Sequence, residues 1–282
     1  MVREWTLNEV MDLMEGLYPA NRAEPWDRVG LILGDPRAPV RRILLAVDPV
    51  RAVVDEAIEW GADLLLTHHP LYLRGTSFLP ESDPKGSSVA RLIRANVALF
   101  NAHTNADCSP GGVAEALGAL LGLEDAEPLV RTGIDEAGRP FGHGRIGRVA
   151  PMRLDDYADL VASRLPAGPT GLLVSGEAEA LVERVAVSGG AGDSFLADAR
   201  AAGADVLVTA DLRHHPASEH LEGGAPALLC GSHWATEWPW LPVLADRLES
   251  AARGADVCCE VKISTIATEP WTDHRPTQGG PK

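Results

Sequence analysis

Cysteine, aromatic residues and positive charge are all scarce in this chain. Its four cysteines include no CxxC pair, which excludes a thiolate zinc module and leaves reduced thiols as the reading for Cys108, Cys230, Cys258 and Cys259. Lys and Arg number 25 against 40 Asp and Glu, a net charge of -15, so a phosphate backbone would be repelled, which argues against a general nucleic-acid binder and leaves open a local basic pocket for one nucleotide. No apolar run approaches the roughly 18 residues of a membrane helix. The start, MVREWTLNEV, lacks the apolar stretch of a secretory signal. The expectation is a cytoplasmic protein with no membrane partner. What is abundant is apolar residue content, 45% over 282 residues, enough for one large core or two lobes.

The apolar segments alternate in type. Residues 42–48 (RILLAVD) read as a buried strand, 53–60 (VVDEAIEW) as a helix closed by Gly61, and 62–67 (ADLLLT) as a second strand. This is the grammar of a βαβ unit. It recurs at 182–190 (VERVAVSGG), 194–203 (SFLADARAAG) and 204–209 (ADVLVT). The two passages share wording: GADLLLTHHP at 61–70 and GADVLVTADLRHHP at 203–216. VALFNAHTNAD at 97–107 likewise matches PALLCGSHWATE at 226–237, each a strand running into a His with an acid four residues later. The reading is an α/β fold of two similar lobes from an internal duplication, related by a pseudo-twofold, with a metal site in the cleft between them. The Gly-, Pro- and charge-rich stretch 125–150 is the junction, and the polar tail 272–282 reads as disordered.

Six of nine histidines fall at these strand ends: His68, His69, His103, His214, His215 and His233. Ligand sites of open α/β sheets form outside the carboxyl ends of strands. Imidazole suits zinc, iron, manganese or nickel, and carboxylates add charge and bridge ions. The i, i+4 pairs His103/Asp107 and His233/Glu237 each share a helical face. With His68 and His69 they exceed what one tetrahedral ion needs, so two divalent ions per chain is the economical reading. Asp211, His214 and His215 are candidates for lining the cleft, and the Gly-rich turn Ser188–Ser194 (SGGAGDS) for cradling a phosphate. Cys108 and Cys230 are not read as ligands. Trp234, Trp238 and Trp240 read as core or subunit-contact residues. Asp27 in AEPWDRVGL reads as a buried hydrogen-bonding acid, to which spacing alone assigns no chemical role.

At AEPWDRVGLILGDP, GADLLLTHHPLY, NAHTNAD, GADVLVTADLRHH, GSHWATE and STIATEPW the chain resembles the Nif-three-like dinuclear metal-centre family, also called GTP cyclohydrolase I type 2 homologues. These motifs span roughly residues 23–271, nearly the whole chain. The resemblance implies two α/β lobes, here 1–128 plus 240–282 and 129–239, with the C-terminal strand (261–268) returning to the first, and a toroidal homohexamer. It implies that His69 and Asp107 hold one ion and His68 and His233 the other. Glu237 would bridge the two, and His103 would stand beside the site. The expected activity is metal-dependent hydrolysis of a nucleotide-like small molecule, with His103 and His215 as catalytic proton carriers. A non-catalytic metal-delivery protein or a regulatory assembly with structural metals are the alternatives. The chain departs from the family pattern at Ala210, where Gly is usual, at Cys230–Ser232, where an acid is usual, and at Arg28, where Asn is usual. None of these removes a ligand.

Overall fold

The computed structural model describes residues 3–277, and these build two large sheets, of five and six strands, each around three parallel strands, besides two small two-stranded sheets. In the first sheet Arg42–Ala46, Leu64–Thr67 and Ala98–Asn101 run parallel in that order. Gly30–Leu33 lies antiparallel beyond the third strand, and Glu260–Ile263 is parallel beside the first. In the second sheet Leu181–Ala191, Val206–Ala210 and Ala227–Gly231 repeat the order, with Leu173–Ser175 antiparallel beyond the third. Here Arg145–Arg153 flanks the first strand antiparallel, and Glu124–Glu127 pairs with it, so the chain enters the second sheet at residue 124. The C-terminal strand does return to the first sheet. Thr272–Thr277 form no regular element, and the end of the tail, 278–282, lies outside the described residues. Among the described residues no helix is long and apolar enough to cross a membrane.

The repeated Gly-Ala-Asp has a mechanical cause. Gly61 and Gly203, at φ 71° and 69°, end their helices in the left-handed region, and Ala62 and Ala204 donate back to the carbonyls of Ala57 and Ala199. The next residue is an aspartate that ties the turn to the neighbouring strand. Asp63 Oδ2 accepts the N–H groups of Arg41 and Arg42 at 2.7 and 2.9 Å. Asp205 Oδ2 accepts those of Glu183 and Arg184 at 2.9 and 2.7 Å. Each aspartate therefore satisfies backbone donors at the start of a strand and sets its register against the next.

The strands between are apolar on both faces because helices cover both, as parallel sheets require. The first core joins strand residues Ile43, Leu45, Leu64 and Leu66 to the helices Leu7–Leu17 and Trp240–Gly254. The second gathers Val185, Val187, Val206, Val208 and Leu229 with the helix Leu154–Arg164. The helix Val113–Leu120 belongs to both. Val113 and Ala116 sit in the first core, while Leu117 and the following Leu121 sit in the second. Trp234 and Trp240 are buried in the first core.

Candidate metal centre

Three strand ends supply the cluster. Beyond Leu64–Thr67, the amides of His68 and His69 continue the ladder to the carbonyls of Ala46 and Val47. Beyond Ala98–Asn101 come His103 and the short helix Thr104–Cys108 carrying Asp107. Beyond Ala227–Gly231, in the second sheet, the helix His233–Glu237 opens with Ser232 as its cap. One helical turn separates His233 from Glu237, which brings His233 Nε2 to 3.0 Å from Glu237 Oε1.

Glu237 is the hub. Its Oε1 also lies 3.6 Å from His68 Nε2, its Oε2 lies 3.2 Å from His69 Nε2, and only 4% of the residue is exposed. Asp107 Oδ1 is 3.5 Å from His68 Nε2. Three imidazoles are held from behind through Nδ1: His68 by the Ala102 carbonyl at 3.0 Å, His69 by Asp48 at 2.7 Å and His233 by Asp211 at 2.7 Å. These partners only accept, so each Nδ1 carries the proton and the Nε2 lone pair faces the cluster when the ring is neutral. His103 is backed by Asp27, whose Oδ2 lies 3.0 Å from Nδ1. Asp27 is itself fixed by the Thr104 hydroxyl at 2.6 Å and the Thr104 amide at 3.1 Å.

The electrostatics are those of a site short of cations. Burial alone would neutralise Glu237, yet His69, His68 and His233 together hold its carboxyl well below the usual range. Burial likewise disfavours charge on His233, but Glu237 and Asp211 outweigh it and raise the imidazole to about 9. His69 is raised well above its ordinary value by Glu237 and Asp48, against burial. Burial raises Asp107, whose neighbours only partly offset it. His68 Nε2, Glu237 Oε2 and, despite its closeness to Asp27, His103 Nδ1 are buried without a well-aligned hydrogen bond, an uncommon and costly condition for polar atoms. Two groups of donors lie within 4.8 Å of one another, His68/His69/His103 and His69/His233/Glu237. These orphaned atoms and oriented imidazoles fit a divalent metal. The grouping differs from the pairing that resemblance implies, since His69 belongs to both groups and His103 joins the first.

All five expected ligands and His103 thus come together, but His215 does not. His214 and His215 begin the exposed helix His214–Glu222 and line neither cavity at the cluster. Spacing explains this. His68 directly follows Thr67, whereas Thr209 is followed by Ala210 and Asp211, so Asp211 occupies the position matching His69. The Gly-rich turn also differs from a phosphate cradle. The strand Leu181–Ala191 runs through Gly190, whose N–H is taken by Thr236 Oγ1 at 3.0 Å, and the helix after it spans only Leu196–Ala201. Gly190, at φ 67°, instead makes room: a Cβ there would lie 2.4 Å from Glu237 Oε1 and 3.0 Å from His233 Nε2. Gly190→Ala is expected to weaken metal binding about 10–100-fold, measured by competition with a chromophoric chelator, and wild-type affinity would count against this role. Burial pushes the Cys108 thiol up to about 11 and raises Cys230, which leaves both as thiols. Asp48, behind His69, is the residue that motif reading missed, whereas Asp27 is the buried hydrogen-bonding acid that the sequence suggested. An acid closing the buried strand 42–48 was the available signal for Asp48.

The architecture and cluster define a two-sheet α/β protein with a candidate metal centre. The chain belongs to the Duf34/NIF3 (NGG1p interacting factor 3) family, whose model matches residues 5–270. It is 48% identical over 269 residues to a Streptomyces coelicolor protein named GTP cyclohydrolase 1 type 2 homolog, covering 95% of this chain and 94% of that one. Among solved structures, Staphylococcus aureus hypothetical protein SA1388 superposes with a TM-score of 0.87 at 28% identity, covering 96% of this chain and 99% of the other. A Bacillus cereus protein related to NIF3 superposes at 0.89 with 23% identity over 95% of this chain and 99% of its own, a likeness of fold.

Proposed function

We propose that this chain is a metal-dependent hydrolase with a dinuclear centre in the cleft between two duplicated lobes. The observation that carries it is the set of three imidazoles, each tied back through Nδ1 and turned with Nε2 toward Glu237. His69, Asp107, His68 and His233 would hold two ions, with Glu237 between them. The matched strand orders and the twin Asp63 and Asp205 ties support the duplication. Two such ions would supply a hydroxide nucleophile at neutral pH and polarise the substrate. His103, whose Nδ1 lies 3.0 Å from Asp27 and whose ring falls in the first donor group, would be the proton carrier where the two ions leave it unligated. The name carried by the Streptomyces relative points to a purine-type ring as the substrate to be opened.

The test is a hydrolysis assay with protein reconstituted with zinc, iron, manganese or nickel, against purine bases, nucleosides and nucleotides. Turnover is followed by ultraviolet absorbance and by uptake of heavy-oxygen water. Metal-dependent turnover that vanishes in His103→Ala, with ions still bound, supports the reading. Bound ions without turnover of any substrate would remove the hydrolase and leave a metal-holding protein.

A further inference from the structure

Two cavities meet at the cluster, and both are lined in part by His69 and His233. The larger, about 710 Å³, opens beside the C-terminal segment and carries Asp48, Asp211, Glu269 and Asp273. The smaller, about 470 Å³, is lined by Trp26 and Phe195 as well as by His103, Asp107 and Glu237. Among the described residues no Lys or Arg lines either cavity. That is the wrong chemistry for a triphosphate, which proteins clamp with Lys or Arg. The metal charge does not repair it. Two divalent ions bring four positive charges, while Asp27, Asp48, Asp107, Asp211 and Glu237 bring five negative ones to the cluster and the backs of its histidines. Of the basic residues close in sequence to the linings, Arg22 lies over the Phe141 ring, Arg28 donates to the Pro25 and Asp27 carbonyls, Arg145 pairs with Glu115, Arg213 with Asp193 and Arg275 with Asp273.

The smaller cavity has the features of a site for a flat, uncharged ring. Trp26 is 55% exposed and meets the edge of His103 at 5.9 Å between centroids. Phe195 lies stacked with His143 at 6.2 Å and 30°. His143 Nε2 is 2.9 Å from Glu24 Oε1, and that carboxylate has a second oxygen able to accept from ligand N–H groups. Aromatic faces, hydroxyls on Ser188 and Ser194, and an acceptor at the rim describe a pocket of ordinary small-molecule size.

We infer that the smaller cavity binds an uncharged planar heterocycle bearing N–H donors, of nucleobase or nucleoside type, and discriminates against its phosphorylated forms. This deepens the hydrolase reading and rests on it. The experiment is calorimetric titration of the metal-reconstituted full chain with guanosine and with the magnesium complex of GTP, repeated with Trp26→Ala and Phe195→Ala. Guanosine is expected to bind at least about tenfold more tightly than GTP. Each variant should lose about tenfold or more in guanosine affinity with its metal content unchanged. GTP binding as tight as guanosine, no binding of either probe, or variants that bind guanosine like the wild type would each overturn the inference. Guanosine bound in this pattern but chemically unchanged would sustain the inference while removing the hydrolase.

Discussion

If the centre holds the two ions proposed, Glu237→Gln should reduce the metal content to well below about one ion per chain after gel filtration. The substitution keeps volume and shape, and it removes the one carboxylate that reaches three imidazoles, His68, His69 and His233. A buried carboxylate answers the charge of an ion in a medium where charge interactions are poorly screened. A glutamine in its place presents an amide whose N–H₂ end opposes the ion, so both Coulomb attraction and a donor atom are lost. Elemental mass spectrometry on tag-free protein measures the outcome, with circular dichroism to show that the chain is folded. Two ions retained in the variant would contradict the central place given to Glu237.

Metal removal should have an effect whose size depends on pH in a defined direction. Without ions, His233 titrates at about 9 in the folded chain against an ordinary 6.5, and His69 and His68 are raised too. The folded form then binds protons more tightly than the unfolded chain. This stabilisation is fully present below about pH 6.5 and is lost as pH rises through about 9. Ions need neutral imidazoles, so protons compete with them and metal affinity rises over that same window. The melting temperatures of loaded and chelated protein should therefore diverge from pH 6.5 to pH 9. With free metal about a thousandfold above Kd, the loaded protein gains about 4 kcal/mol. For a chain of this size that is about 8–16 °C. Differential scanning fluorimetry across the range reads it directly, and a gap that closes with rising pH would refute the competition.

The candidate site is more legible in the sequence than the shape that assembles it. His68, His69, His103, Asp107, His233 and Glu237 stand in short motifs at strand ends, and each motif carries its own spacing logic. Gly-Ala-Asp is legible for the same reason, because helix stop, turn and strand tie lie within three residues. Asp48 and Asp27 are different. Their partners, His69 and His103, are 21 and 76 residues away, and only the packing of strands beside one another brings each pair together. His215 shows the opposite failure. Its His-His-Pro matches the first by letters, but Ala210 to Arg213 push it off the strand end and onto an exposed helix. Gly190 was visible as a glycine in a turn, while its reason, the space occupied by Glu237 and His233, lies 43 to 47 residues downstream.

The helix Val113–Leu120, shared between both apolar cores, bears on how an ion would be received. Its burial fixes the two sheets against each other through packing that owes nothing to an ion. Donors from His68 and His69 on one side and His233 and Glu237 on the other are thereby held in reach of one another by apolar side chains. Packing of this kind restrains the side chains that would receive an ion, and restraint established by folding lowers the ordering cost charged to binding.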